Sequence, residues 1–166
     1  MTDSIFITGA ARGIGAAIAQ TAADKGYRVG VFDLDGEAAA ETAASLPNAS
    51  AFQGSVTNAA DLEQALDEFG AAPDAFVSNA GIVRFGPLID MSDEDWRSVI
   101  EVNLTGSFLS TRAAARRMID NGGGSIVNIT SINGVAPGPN AGAYAAAKAG
   151  AAMMTQQMSI EWGPAG

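Results

Sequence analysis

The sequence predicts an α/β fold, a doubly wound parallel sheet with helices on both faces. Short β-branched and aromatic runs alternate with longer alanine-rich segments, the pattern of successive βαβ units. No fixed-period repeat and no internal linker interrupts the alternation, and 166 residues are enough for one unit with a real core, residues 1–166 being read as a single domain.

The elements follow in order. Ser4 to Thr8 (SIFIT) reads as a buried strand and Gly13 to Lys25 as a helix that stops at Gly26. Arg28 to Asp33 (RVGVFD) is the second strand, and a helix from about Glu37 to Ser45 ends before Pro47. A short strand at Ser50 to Gln53 leads to a helix over Ala59 to Phe69, capped by Thr57 or Asn58. Ala75 to Ser78 (AFVS) is the fourth strand. An acidic start at Ser92-Asp93-Glu94-Asp95 opens a helical pattern that runs, with a break, to Ile119. Gly124 to Ile129 (GSIVNI) is the fifth strand and Ala143 to Trp162 the last long helix.

Composition narrows the chemistry. The chain has no Cys and no His, which excludes disulfides, thiol nucleophiles, Ser-His-Asp triads and cysteine- or histidine-ligated metals. Proton transfer must then use Asp, Glu, Lys or Tyr. A net charge of -9 argues against nucleic acid or anionic membrane as general partners. No apolar stretch reaches the length of a membrane helix, and Met1-Thr2-Asp3-Ser4 does not resemble a signal peptide. The expected location is cytoplasmic. Charged residues make up only 16% of the chain, against about a quarter in ordinary domains, so much of the surface is expected to be covered by a ligand or another subunit.

The first strand runs into Thr8-Gly9-Ala10-Ala11-Arg12-Gly13-Ile14-Gly15. A strand, a glycine turn and a helix N-terminus together form an anion site, because free N–H groups and the helix dipole point the same way. Gly9 suits the tight turn, Gly13 the approach of backbone to a pyrophosphate, and Gly15 close packing of helix on sheet. A tight strand-to-helix turn with no ligand is the alternative. Asp33 ends the second strand eighteen residues beyond Gly15, where a carboxylate can accept hydrogen bonds from an adenosine ribose and repel a 2′-phosphate. NAD is therefore expected ahead of NADP. Arg12 pulls the other way, since a loop cation can meet a 2′-phosphate; it can equally be solvated.

The chain has two Lys and two Tyr, and one of each falls in Tyr144-Ala145-Ala146-Ala147-Lys148. At i and i+4 they share a helix face. An ammonium stabilises a nearby phenolate, so the pair is a usable general acid/base in a protein without His. A surface aromatic beside a solvated lysine is the plainer reading. Ser131 follows the fifth strand, at the carboxyl end of the sheet where open α/β sheets bind ligands. Asn103 is a polar residue inside an apolar helical pattern, needing partners such as water, or else serving as a kink or cap.

Taken together, the TGAARGIG loop, Asp33, Ser78-Asn79-Ala80-Gly81, Asn103, Ser131 and the Tyr144–Lys148 pair resemble a classical short-chain dehydrogenase/reductase from the first strand to the last residue. The resemblance implies a Rossmann-type fold and hydride transfer between NAD(P) and a secondary alcohol or ketone. In it Tyr144 exchanges the hydroxyl proton and Lys148 lowers the Tyr144 pKa and holds the nicotinamide ribose. Ser131 polarises the reacting oxygen, and Asn103 anchors a water that links Lys148 to solvent. Gly9, Arg12, Gly13, Ile14, Gly15, Asp33, Ser55, Val56, Asn79, Ala80 and Gly81 would line the cofactor site, with Asn79 mainly supporting the sheet. No metal is implied.

The chain also departs from the family pattern. Ser55 stands where an adenine-contacting Asp is common, and Ser78 replaces the first residue of the usual Asn-Asn-Ala-Gly. Two further strands and a substrate-binding segment are expected after Gly166, so the chain reads as a fragment with C-terminal strands missing and GSIVNI as an apolar edge. The alternative to an enzyme is a non-catalytic dinucleotide-binding module or scaffold. Helices ending near Ile119 and Trp162 resemble the family's subunit contacts, which implies a homodimer or homotetramer. Arg112, Arg116 and Arg117 form a cationic cluster that either meets an acidic carrier protein or is simply solvated or subunit-facing.

Overall fold

The computed structural model describes residues 3–70 and 72–166. Met1 and Thr2, part of the stretch read for a signal sequence, and Ala71 lie outside the described residues. Five parallel strands form one sheet: β1 (Ser4–Thr8), β2 (Arg28–Asp33), β3 (Ala49–Gln53), β4 (Ala75–Ser78) and β5 (Ser125–Asn128). Their spatial order is β3-β2-β1-β4-β5. The chain winds outward from β1 in one direction and then, through β4, in the other. That reversal opens a crevice at the carboxyl ends of β1 and β4.

Both faces of the sheet are covered. Helices α1 (Gly13–Asp24) and α2 (Gly36–Ala44) pack their small residues Ala19, Ala22, Ala23, Ala39 and Ala43 on Ile5, Ile7, Val29, Val31 and Val77. On the opposite face, α3 (Ala59–Phe69) and α5 (Gly106–Asp120) enclose an aromatic cluster. Phe6 is its hub, stacked on Phe76 with centroids 6.0 Å apart and meeting Phe69 edge-on at 5.4 Å. Burial on both faces explains why every residue of β1 is buried, including Ser4 and Thr8. Helix α3 presents Leu62, Ala65, Leu66 and Phe69 to this core, the i, i+3, i+4, i+7 stripe of an amphipathic helix.

The predicted elements are present, with shifts of one residue at several ends. Asn58 caps α3 by accepting the Ala60 N–H, Asp35 caps α2, and Ser92 caps α4 (Asp93–Ile100). The expected break before Ile119 is a π-turn over Glu101–Thr105 joining α4 to α5 without interruption. Helix α6 (Gly142–Trp162) completes the fold. Strand β5 pairs with β4 alone, and Val127 on it is 52% exposed. The expected arginine cluster is divided. Arg117 turns back to α3, where it binds the carboxylates of Glu63 and Asp67 and donates to the Glu63 carbonyl at 3.1 Å. Arg112 lies over the Phe108 ring at 4.7 Å. Arg117 is thus committed within the chain, where two carboxylates offset the water its partly buried guanidinium gives up.

Asp74 ties the start of β1 to the start of β4. Its carboxylate accepts the Ser4 hydroxyl at 2.7 Å and the Ser4 N–H at 2.8 Å, and these bonds hold its pKa below the usual 3.8. A lowered folded-state pKa contributes stability above the unfolded value and loses it as pH falls through the folded one. The gap in Tm between the wild-type chain and Asp74→Ala is therefore expected to be open at neutral pH and to close on acidification below 3.8. Thermal melts of both proteins across that range check this, and a gap independent of pH would contradict it.

Candidate active site

The glycine loop leaves β1 at the crevice and enters α1. Gly9 has φ +64, a left-handed conformation that side chains disfavour. A Cβ on Gly9 would lie 2.7 Å from Ala80 Cα, and one on Gly15 would lie 2.2 Å from the Gly9 carbonyl oxygen. The loop is thus pressed against the segment after β4. Asn79 fastens it, donating its amide to the carbonyls of Thr8 at 3.1 Å and Gly9 at 2.9 Å. Thr8 Oγ1 accepts the N–H groups of Asn79 and Ala80. Arg12 occupies the N-cap of α1 without a side-chain capping bond, and Gly13 opens on empty space at φ +59. Uncapped first-turn amides facing open space suit an anion.

Beside the loop lies a cleft of about 750 Å³ lined by Gly9, Arg12, Ile14, Asp33, Asp35, Ser55, Val56, Asn79, Ala80 and Gly81, among others. Asp33 stands at one end. Its carboxylate accepts the Ala11 N–H at 3.0 Å and the Asp35 N–H at 3.1 Å, so the glycine loop and the α2 start both orient it. Arg12 forms an ion pair with Asp35. Ser55 donates its N–H to Asp61 at 2.9 Å, and its hydroxyl pairs with Thr57 at 2.8 Å.

The other end continues into a cavity of about 310 Å³ that shares Ile14, Asn79, Gly81 and Ile82 with the cleft and adds Asn103, Ile129, Asn133, Tyr144 and Lys148. In the π-turn the Gly106 N–H reaches back five residues to the Glu101 carbonyl. Such bulges re-aim side chains at functional positions. Here the bulge carries Asn103, which is fully buried and donates to the carbonyls of Ile82 at 2.8 Å and Val99 at 2.9 Å. Its Oδ1 is buried without a partner, an unsatisfied acceptor that calls for a donor.

Lys148 is only 3% exposed and donates to the Ile129 carbonyl at 2.7 Å. Burial pushes its pKa below that of a free lysine. An ammonium has three donors, so two remain for other partners. Its Nζ lies 5.7 Å from the Tyr144 ring centroid, and Tyr144, one turn earlier on α6, is half-buried. Ser131 caps the 3₁₀ turn Ile132–Gly134, its hydroxyl oxygen accepting the Asn133 N–H at 3.2 Å. Tyr144, Lys148 and Asn103 share one cavity; Ser131 borders it through its neighbours Thr130 and Asn133.

A trough with uncapped helix amides at its middle, a carboxylate at one end and a buried ammonium at the other fits a dinucleotide. Asp33 could accept from ribose hydroxyls there and Lys148 donate to them, and the first turn of α1 could hold an anion between them. Among the described residues no group of acidic side chains could hold a metal, and no helix is long and apolar enough to cross a membrane. The sequence reading missed Asp35, Thr8, Asn133 and the backbone carbonyls of Ile82, Val99 and Ile129. Only Asp35 carried a visible signal, as an Asp just before a helix; the carbonyls have no sequence signature. A Cβ on Gly81 would lie 2.6 Å from Asn103 Oδ1 and 3.7 Å from Lys148 Nζ. Gly81→Ala is expected to cost roughly 1–3 kcal/mol in a denaturant melt by displacing the Asn103 amide; an unchanged midpoint would contradict this close approach.

A model of the family described as short chain dehydrogenase matches residues 3–166. The chain is 39% identical to D-threitol dehydrogenase of Mycolicibacterium smegmatis, the match covering 97% of this chain and 65% of that protein. It is 41% identical to (3R)-3-hydroxyacyl-CoA dehydrogenase of Homo sapiens, over 95% of this chain and 67% of that one. The solved structure of NAD+-bound xylitol dehydrogenase superposes with a TM-score of 0.94 at 30% identity, covering 98% of this chain and 66% of its own. The chain thus spans about two thirds of the length of these relatives. With a family match along nearly its whole length and this fold, the chain belongs to the short-chain dehydrogenase family.

Proposed function

We propose that this chain is the cofactor-binding and proton-transferring domain, residues 1–166, of an oxidoreductase that interconverts a secondary alcohol and a ketone with NAD(P), NAD being preferred to NADP. The observation that carries the reading is the inner cavity, where a buried lysine, a tyrosine and a buried asparagine with an unpartnered oxygen meet at the end of a dinucleotide-sized trough. Simple binding has no need of that set. A dehydrogenase of the same fold solved with NAD+ bound supports the cofactor class.

The bound nicotinamide supplies the hydride chemistry. The residues supply position and protons. Tyr144 takes the hydroxyl proton from an alcohol on oxidation and returns it to a carbonyl oxygen on reduction. Lys148, anchored by the Ile129 carbonyl, directs its remaining N–H donors to ribose hydroxyls. The Ser131 oxygen already accepts one N–H, which leaves its own O–H free to donate to the reacting oxygen. Asn103 Oδ1 accepts from a water that carries protons between Lys148 and solvent. Asn79 and Ala80 shape the trough rather than react. Asp33 receives the adenosine ribose, and Ser55 and Val56 border the adenine end.

A homodimer or homotetramer is part of this proposal. Phe108 on α5 and Met153 and Ile160 on α6 are exposed apolar residues, which a second copy would cover. So is a cytoplasmic location, which fits a chain with no cysteine to place in disulfides.

The test pairs cofactor titration with turnover across a panel of polyols, hydroxyacyl thioesters and ketones. Tyr144→Phe is expected to lower kcat by about 10²–10⁴-fold while NADH still binds. A Tyr144→Phe variant with wild-type turnover would refute the assigned proton transfer. Dinucleotide binding by the wild-type chain with no turnover on any substrate would favour a binding module instead.

A further inference from the structure

Gly106 sits where the π-turn meets the segment after β3. Its N–H closes the turn on the Glu101 carbonyl. A Cβ on Gly106 would lie 2.7 Å from Val56 Cγ2 and 3.2 Å from Val56 Cβ, inside the roughly 3.5–4.0 Å at which carbon atoms pack. The two segments therefore meet with no room for a side chain. If a methyl is added, one of them must retreat.

Val56 has little freedom to be the one that moves. It is β-branched, with few rotamers, 7% exposed and part of the buried cluster around Phe6. Its flanking backbone is braced as well. The Gly54 N–H donates to the Asp33 carbonyl at 2.9 Å, the Asn58 N–H to the Ser55 carbonyl at 3.1 Å, and the Ser55 N–H to the Asp61 carboxylate at 2.9 Å. The displacement falls instead on the π-turn, three residues from Asn103. There the Asn103 amide is aimed by the Ile82 and Val99 carbonyls, and its own backbone carbonyl accepts the Ser107 hydroxyl at 3.0 Å. Asn103 Oδ1 and Lys148 Nζ both border Gly81, so a shift of the turn changes how they stand to each other.

We propose that Gly106 is a positioning residue for the proton path: by seating the π-turn directly on Val56, it fixes Asn103 relative to Lys148. Gly106 lines neither the cleft nor the inner cavity and acts through the turn alone. Its link to proton transfer rests on the reading of Asn103 and Lys148 as that path. The contact itself does not, and it can be tested without cofactor or turnover.

The full chain has two lysines, buried Lys148 and exposed Lys25, so isotope-labelled lysine gives two side-chain NMR signals, which a Lys25→Arg variant assigns. In Gly106→Ala the Lys148 signal is expected to move several-fold further than the Lys25 signal. The same substitution made in a Val56→Ala background is expected to move it less than half as far, because the methyl then has space. A Lys148 signal unmoved in a folded Gly106→Ala chain would overturn the proposal. So would an undiminished displacement when Val56 is replaced. If a thermal melt shows that Gly106→Ala alone does not fold, the double variant is expected to fold; a double variant that also fails would place the clash elsewhere and overturn the seat on Val56. Signals that follow the expected pattern in a chain that turns over no alcohol or ketone would uphold the contact and overturn its part in proton transfer.

Discussion

The site depends on how closely β1 and β4 approach at their carboxyl ends. Gly9, Gly15 and Ala80 meet at distances that leave no room for side chains on the two glycines, and the Asn79 amide holds the contact by bonding both carbonyls of the turn. That contact fixes the floor of the trough. It also points the first turn of α1 into the crevice, since the helix starts where the pinned loop ends. A bulkier residue at either glycine would displace the helix start from the sheet, and its first-turn amides with it.

Charge is distributed unevenly along the trough. The outer end holds Asp33, Asp35 and Arg12, partly exposed groups whose interactions are screened by water. The inner end holds Lys148, buried and short of water, bound to one backbone carbonyl. A desolvated ammonium acts strongly on its surroundings, and the ring of Tyr144, one turn earlier on the same helix, has its centroid 5.7 Å from Nζ. The charged groups thus lie in water at one end of the trough and away from it at the other.

The π-turn joins the two. Without the extra residue over Glu101–Thr105, α4 and α5 would continue as one regular helix and Asn103 would be rotated away from Ile82. With it, the Asn103 amide spans from the helix to the segment after β4, beside Gly81. The fold thus places one buried acceptor, Asn103 Oδ1, without a protein partner in the same cavity as Lys148. An unsatisfied buried oxygen is costly, and its retention beside the ammonium is what connects the helix irregularity to chemistry.

The element order, the doubly wound parallel sheet, the glycine loop and the Tyr144–Lys148 pair were all legible in the sequence, because each is written in local signals: β-branched runs, caps, glycine spacing and i, i+4 positions. Asp33 was legible from its distance along the chain after the loop. The partners were not. Nothing in the sequence marks the Ile129 carbonyl as the anchor of Lys148, or Ile82 and Val99 as acceptors for Asn103, because every residue but its side chain offers the same carbonyl. The expected break before Ile119 became a π-turn, since a bulge differs from a kink only in which N–H meets which carbonyl. Arg12 and Arg117 looked alike as free cations in sequence; folding brought Asp35 to one and Glu63 with Asp67 to the other. Residue types and their spacing therefore determined which chemistry this chain carries, while the tertiary structure decided which charges are spent within the protein and which remain for a ligand, because pairing across 23 or more residues is set by packing rather than by local pattern.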